Sequence, residues 1–165
     1  VAAHTIMTEV LAAWGAAQPE QLEVAIESFF DYFRHSLRTY PDTLPALRAL
    51  RDRGLPIAVL TDVPYGMPRR FIEADLTRAG LLPYVDYYLT SLDVGFRKPN
   101  PRGLLQIAKH FHLTPADFIA VGNEPKDITA AQAAGMSPVL IDRDGTATPA
   151  PGVQRIATLA ELVGA

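Results

Sequence analysis

Polar and charged residues follow three of the apolar runs in this sequence, and their types suit work on a phosphate group. The first set follows "IAVL", the second lies in the loop "GFRKPNP", and the third follows "FIAVG". In chain order these residues are Thr61, Asp62, Lys98, Asn123, Glu124 and Asp127. An ammonium and a hydroxyl can hold phosphoryl oxygens, and carboxylates are preferred ligands of magnesium. Brought together, such residues predict phosphoryl transfer.

A pair of aspartates separated by one residue follows a fourth apolar run, in "PVLIDRDGT". In such a pair Asp142 would be a nucleophile and Asp144 a general acid and base, with Gly145 allowing a tight turn. Short patterns of this kind also occur in loops that carry no chemistry. Whether this pair reaches the other residues depends on the elements around it.

The composition is that of one soluble globular domain. The 165 residues are 48% hydrophobic and 20% charged, with a net charge of −3. Lysine and arginine form no basic stripe, which argues against nucleic-acid binding, and no apolar run approaches the roughly 20 residues needed to span a bilayer. The absence of cysteine excludes disulfides, thiolate metal sites and a cysteine nucleophile. The start does not resemble a secretory signal, and a cytoplasmic location is the default expectation.

Helices and strands alternate along most of the chain. Helical spacing predicts two amphipathic helices at residues 2–15 and about 19–38. Beyond them the pattern predicts strands at "PIAVLT", 84–91, 117–122 and 138–142, and helices at 43–53, 67–79, 101–112 and 126–134. This order predicts an α/β fold, with a doubly wound, Rossmann-like parallel sheet and helices on both faces. We assign residues 1–40 to a small helical cap and residues 41–165 to the core.

The carboxyl ends of the predicted strands are where a ligand would bind. In an open parallel sheet, ligands lie in the crevice outside these ends. The residues named first either follow a strand directly or lie in a loop after one. The fold therefore predicts that a threonine, a lysine and several acids meet at one edge of the sheet.

Three stretches resemble, in order, the motifs of the haloacid dehalogenase superfamily. "IAVLT" resembles its second motif, an apolar strand that ends in Thr or Ser, here Thr61. "RKPNP" resembles its lysine-proline loop, with the lysine at Lys98. "VGNEPKDITAAQAAGM" resembles its fourth motif, Gly-Asp followed by a second aspartate, here Asp127. Because the order and spacing agree over residues 41–142, the chain is identified as a member of that superfamily.

The resemblance implies a hydrolase, and within the superfamily a phosphatase for a small phosphate monoester that works through an aspartyl-phosphate. Thr61 and Lys98 would hold the phosphoryl group of the substrate. Asp62, which follows Thr61, is assigned to the catalytic residues together with Thr61 and Lys98.

The resemblance also implies a magnesium ion as cofactor. Asp127 would help to hold Mg²⁺, together with Glu124 or Asn123. Asn123 stands where the family has an acid, and a neutral amide is a weaker magnesium ligand than a carboxylate. The sequence therefore predicts a metal site with reduced affinity.

The first motif of the superfamily, Asp-x-Asp-x-Thr or Val, has no match in residues 1–40. It belongs on the central strand, which carries the nucleophile. Removing that strand would leave a gap of about 9.6 Å lined by two rows of unpaired backbone groups. We therefore expect an upstream segment of about 10 to 20 residues to supply the strand. A strand from a second chain is the alternative occupant.

The fourth apolar run cannot easily supply that central strand. In the resembled fold the nucleophile strand lies between the strands that carry Thr61 and Asn123, whereas "PVLID" pairs on the outer side. Reaching the centre would need a left-handed crossover, which occurs in about 2% of such connections. Asp142 and Asp144 are therefore interpreted as part of a structural loop.

Three alternatives to a complete phosphatase remain at this stage. In the first alternative, the chain is a degenerate or truncated family member that retains Thr61 and Lys98 and binds phosphate or a partner without turnover. Asn123 and Asp127 also fit the halide-releasing members of the family, which need no metal. The third alternative is a permuted enzyme that uses Asp142.

Overall fold

The computed structural model describes residues 2–16 and 19–164 of the chain. The α-helices are Ala3–Ala13 (α1), Pro19–Arg34 (α2), Thr43–Asp52 (α3), Arg69–Arg78 (α4), Ser91–Val94 (α5), Arg102–His110 (α6), Pro125–Ala134 (α7) and Ala160–Val163 (α8). The strands are Ala58–Thr61 (β1), Tyr87–Thr90 (β2), Ile119–Gly122 (β3), Ser137–Ile141 (β4) and Gln154–Ile156 (β5). Short 3-10 helices lie at Pro64–Gly66, Leu82–Tyr84 and Pro115–Asp117. Within the described residues, none of the helices is both long and apolar enough to cross a membrane.

All strand pairs are parallel, and helices separate the strands along the chain. β1 pairs with β2, with Leu60 opposite Leu89. β4 pairs with β3 on one side and with β5 on the other, with Val139 opposite Val121. The predicted α/β, Rossmann-like fold is therefore confirmed. The structure adds β5 and the one-turn helix α5, which the sequence did not predict.

In the described part of the chain the strands form two separate sheets, β1-β2 and β3-β4-β5. β1 and β3 each have one edge without a strand partner, which leaves backbone donors and acceptors of those edges outside any ladder. On β3 the apolar side chains of Ile119 and Val121 are 64% and 40% exposed. A sheet that lacks one internal strand would have this arrangement, because the missing strand would pair with both edges. The origin of such a strand stays a prediction.

Helix α6 packs against the β1-β2 sheet and against helix α7, which in turn packs against β3 and β4. Leu104 contacts the apolar cluster that contains Leu89 and also the cluster that contains Ala131. Gly103, in the first turn of α6, permits a close approach to β1, because a Cβ there would lie 2.8 Å from the Leu60 side chain. β1 and β3 are therefore linked through packed helices, and in the described residues no ladder joins them.

Contacts divide the chain into two compact units. One unit contains the residues up to Thr39 together with Val63–Pro83, and the other contains Tyr40–Asp62 together with the residues from Tyr84 onward. The sequence pattern assigns residues 63–83 to the core, whereas the structure groups them with the N-terminal helices. Met67 and Phe71 explain this difference, because they are buried in the same apolar cluster as Phe30 of α2. As a functional division, the cap and core assignment stays a prediction.

A buried arginine links α2 to α4 within the first unit. The side chain of Arg34 is 10% exposed and donates to Oδ1 of Asp75 at 3.0 Å. It also pairs with Asp31 at 3.1 Å, and its guanidinium lies 4.8 Å from the centre of the Phe71 ring. Asp75 is 16% exposed, whereas Asp31 is 70% exposed. The Arg34–Asp75 pair is therefore the one shielded from water.

Replacing Asp75 by alanine should lower the free energy of unfolding by about 3 kcal/mol, because it leaves a buried guanidinium without its main partner. Urea denaturation followed by circular dichroism measures this change. The matched control is Asp31→Ala, which removes an exposed partner of the same arginine and should cost less than about 1 kcal/mol. Equal losses in the two variants would contradict this account of Arg34.

Candidate active site

The residues predicted to bind phosphate lie at the carboxyl ends of β1 and β3 and in a loop beside them. Thr61 is the last residue of β1, and Asp62 follows it. Lys98 lies in the loop between α5 and α6. Asp127 lies in the first turn of α7, which begins shortly after β3. The contacts of these side chains show which of them come together.

The ammonium of Lys98 joins the end of β1 to the start of α7. It donates a hydrogen bond to the carbonyl oxygen of Leu60 at 3.2 Å and lies 2.9 Å from Oδ1 of Asp127. The Lys98 side chain is 15% exposed, so the cation is largely shielded from water. An ammonium has three donor protons, so protons that do not bond to the Leu60 carbonyl can serve a ligand oxygen.

Asp127 fixes the backbone that begins α7. Its Oδ2 accepts hydrogen bonds from the backbone N–H groups of Asn123 at 3.1 Å and Glu124 at 3.0 Å, which satisfies donors at a helix start. Gly122 makes this possible, because a Cβ at that position would lie 2.2 Å from Cβ of Asp127. One oxygen of Asp127, Oδ1, therefore lies beside Lys98, and the other, Oδ2, holds the backbone between β3 and α7.

Asp62 holds the backbone of the lysine loop. Its side chain is 8% exposed. Oδ1 accepts a hydrogen bond from the backbone N–H of Lys98 at 3.2 Å, and Oδ2 lies 3.6 Å from Nζ of Lys126. Asp62 is predicted to be catalytic, and in the structure it contacts Lys98, the residue predicted to bind the phosphoryl group.

Lys126 is a second cation at this site, and it is not among the residues that the sequence predicts to be functional. Its ammonium pairs with Glu124 at 2.5 Å as well as with Asp62. The hydrogen bond to Glu124, aided by the charges of Glu124, Asp62 and Asp127, raises the pKa of Lys126 above its ordinary value, although burial opposes this effect. One signal was available in the sequence. A cation in the first turn of a helix opposes the helix dipole, so it needs acidic partners nearby.

The family of the chain follows from a comparison with known protein families. A model of haloacid dehalogenase-like hydrolases matches residues 3–135, which include the end of β1, the Lys98 loop and the first turn of α7. The chain belongs to this family. The resemblance inferred from the three motifs is confirmed.

Curated relatives of this haloacid dehalogenase-like hydrolase include several phosphatases. A glyceraldehyde 3-phosphate phosphatase of Methanopyrus kandleri is 30% identical over 76% of the chain, and a phosphoserine phosphatase of Thermus thermophilus is 34% identical over 84%. A phosphoglycolate phosphatase of Neisseria meningitidis is 32% identical over 72%. The matches cover 53%, 53% and 51% of these three proteins. The chain thus spans about half the length of the curated relatives that it matches.

Solved structures of the family show the same fold. A HAD phosphatase from Thermococcus onnurineus superposes with a TM-score of 0.72 at 32% identity, covering 82% of this chain and 61% of that protein. A 2-haloacid dehalogenase from Pseudomonas syringae superposes with a TM-score of 0.76 at 24% identity, covering 96% of this chain and 67% of that protein. The second likeness supports the fold alone.

The described acids of the chain do not by themselves form a magnesium site. Among the described residues, 2–16 and 19–164, no group of three or more histidine, cysteine, aspartate or glutamate side chains is placed to hold a metal ion. Oδ2 of Asp127 is engaged by two N–H groups and Glu124 is paired with Lys126. Asn123 carries no charge. Magnesium binding by Asp127 with Glu124 or Asn123 therefore stays a prediction, and these three side chains alone do not form the site.

Asp142 follows β4, which pairs with β3 and β5 and not with β1, as the crossover rule predicts. β4 lies between β3 and β5, so "PVLID" does not occupy the position between β1 and β3. The Asp142 residue is 9% exposed. Its carboxylate accepts hydrogen bonds from the backbone N–H groups of Thr146 and Ala147 and lies 3.4 Å from Arg155, while Asp144 is exposed. Asp142 thus closes its own loop.

Proposed function

We propose that this chain is the phosphate-binding part of a phosphatase that acts on small phosphate monoesters. The observation that carries the proposal is the Lys98 ammonium, which the Leu60 carbonyl and Asp127 hold at the carboxyl edge of the strands. Thr61 ends the strand beside it and would offer a hydroxyl to the same phosphoryl group. The phosphatases among the relatives, at 30% to 34% identity, support the same reaction class.

The nucleophile would come from a strand inserted between β1 and β3. The two described acids nearest to Lys98 are both engaged, since Asp62 bonds to the Lys98 N–H and faces Lys126, while Asp127 holds the lysine ammonium and the start of α7. A strand parallel to its two neighbours would end at the same edge as Thr61. An aspartate at that end would face the phosphoryl group held by Lys98.

The reaction would proceed in two displacements at phosphorus. A carboxylate oxygen of the inserted strand forms a bond to phosphorus, the bond between phosphorus and the ester oxygen breaks, and the departing oxygen takes up a proton from water. Water then attacks the phosphorus, which releases inorganic phosphate and regenerates the carboxylate. Lys98 and Thr61 would bind phosphoryl oxygens in both steps and stabilise the charge that develops on them.

Charge balance supports a role for Mg²⁺ in the proposal. The described site contains three carboxylates, on Asp62, Glu124 and Asp127, but only two ammonium groups, on Lys98 and Lys126. A nucleophilic carboxylate and a phosphate dianion would add further negative charge. A bound magnesium ion would supply the compensating charge.

The test is the release of inorganic phosphate from a panel of small phosphate monoesters by the full-length protein. We expect turnover at about 1 to 1000 per second on the best ester with magnesium present. Excess EDTA should abolish this turnover, and added magnesium should restore it. A folded full-length protein that releases phosphate from none of the esters would refute the proposal.

A phosphate-binding domain without turnover is the second candidate. It is favoured by the engagement of both Asp62 and Asp127 in other contacts. This candidate predicts saturable binding of inorganic phosphate in calorimetry together with no hydrolysis of any ester.

The dehalogenase alternative, which Asn123 raises, has a separate test. Chloride release from 2-chloroacids is measured in the same preparation.

A further inference from the structure

Asp62 is a nearly buried carboxylate that contacts both parts of the phosphate-binding arrangement. One oxygen accepts the backbone N–H of Lys98 at 3.2 Å, and the other lies 3.6 Å from the Lys126 ammonium. With 8% of its side chain exposed, Asp62 has little water to stabilise its charge. A buried carboxylate needs a cation or several donors to remain ionised and in place.

Lys126 supplies that cation from the first turn of α7. Lys98 itself turns its ammonium toward Leu60 and Asp127, so it contributes to Asp62 only through its backbone N–H. Glu124 holds Lys126 from the solvent side, where the glutamate side chain is 50% exposed. The Lys126 ammonium thus lies between an exposed carboxylate and a buried one, and the buried one fixes the lysine loop.

We propose that Lys126 is a positioning residue for the reaction, acting through Asp62 on Lys98. Its ammonium neutralises Asp62, Asp62 holds the Lys98 N–H, and the fixed backbone directs the Lys98 ammonium to the phosphoryl group. This inference rests on the proposed phosphatase activity. In this inference Lys126 does not contact the substrate. Lys126 therefore differs from Lys98 and Thr61, which would bind the phosphoryl group directly.

The experiment combines Lys126→Met with Asp62→Asn in the full-length protein. Lys126→Met leaves a buried carboxylate without its cation, so kcat should fall about tenfold with little change in KM. Lys126→Arg keeps the charge and should restore most of kcat. Asparagine at position 62 still accepts the Lys98 N–H but carries no charge. In the Asp62→Asn background, Lys126→Met should therefore have no further effect on kcat.

Hydrogen exchange of the Lys98 amide, followed by NMR, provides a readout independent of activity. The Lys98 amide should exchange about tenfold faster in the Lys126→Met variant, and at the original rate in the Lys126→Arg variant. Lys109→Met, which removes a lysine from the last turn of α6, is the matched control and should change neither kcat nor this exchange rate.

The outcomes separate this inference from the proposed function. If Lys126→Met lowers kcat equally in the original protein and in the Asp62→Asn background, Lys126 contacts the substrate directly and the inference is overturned. Unchanged Lys98 exchange in Lys126→Met would overturn it as well. If the protein hydrolyses no ester, the proposed function fails, while the exchange data still decide whether Lys126 positions Lys98.

Discussion

Replacing Lys98 by methionine should lower kcat/KM for phosphate release by about a hundredfold to a thousandfold. The Lys98 ammonium is the largely shielded cation at the edge of the strands, and the loss of one such donor to a developing charge has an effect of this size. Methionine keeps most of the volume of the side chain. The steady-state rate of phosphate release by the full-length protein measures the loss.

Two further variants show whether the loss comes from the ammonium of Lys98. Lys98→Arg keeps the charge but changes the donor geometry, so we expect an intermediate rate. Lys109→Met removes a lysine from the last turn of α6 and should retain full activity. If Lys98→Met were as active as Lys109→Met while remaining folded by circular dichroism, the phosphate-binding role of Lys98 would be wrong.

Replacing Gly122 by alanine should have the second large effect, on both stability and activity. The new Cβ would lie 2.2 Å from Cβ and 2.7 Å from Cγ of Asp127, and these distances require the aspartate or the backbone to move. Asp127 would lose its hydrogen bonds to the Asn123 and Glu124 N–H groups and its contact with Lys98. We expect the free energy of unfolding to fall by about 3 kcal/mol.

Gly145→Ala is the matched control for this substitution. Gly145 has a φ of +68° but no atom within 4 Å of an added Cβ, so alanine there introduces backbone strain without a steric clash. It should cost about 1 kcal/mol and leave phosphate release unchanged. The activity of Gly122→Ala should instead fall about a hundredfold, because the Asp127–Lys98 pair shifts. Equal behaviour of the two alanine variants would contradict the role assigned to Gly122.

The proximity of Asp62, Lys98 and Asp127 could be predicted from the sequence because parallel strands place their carboxyl ends at one edge. The apolar runs "IAVL" and "FIAVG" identified β1 and β3, and the residues that follow them include Asp62 and Asp127. The pairing of β4 beside β3, and not between β1 and β3, followed from the handedness of crossovers. Both inferences rest on rules that hold for any sheet of this kind, so they did not depend on the contacts of particular side chains.

Contacts between distant residues were the part that the sequence could not show. The role of Lys126 follows from the contact between its ammonium and Asp62, a residue far from it in the chain. β5 contains two exposed polar residues out of three, and only its pairing with β4 identifies it as a strand. Residues 63–83 follow the alternation expected of a crossover, yet Met67 and Phe71 bury their side chains with the N-terminal helices.

Each of the two sheets is assembled from strands that are consecutive along the chain, β1 with β2 and β3 with β4 and β5. Each sheet can therefore form early, from segments that are near neighbours in sequence, without waiting for a distant partner. Joining β1 to β3 through a common neighbour would then be a late, long-range event in folding. If the proposed function holds, the complete edge of the sheet would form only with the final closure of the core, and partly folded chains would hydrolyse no ester.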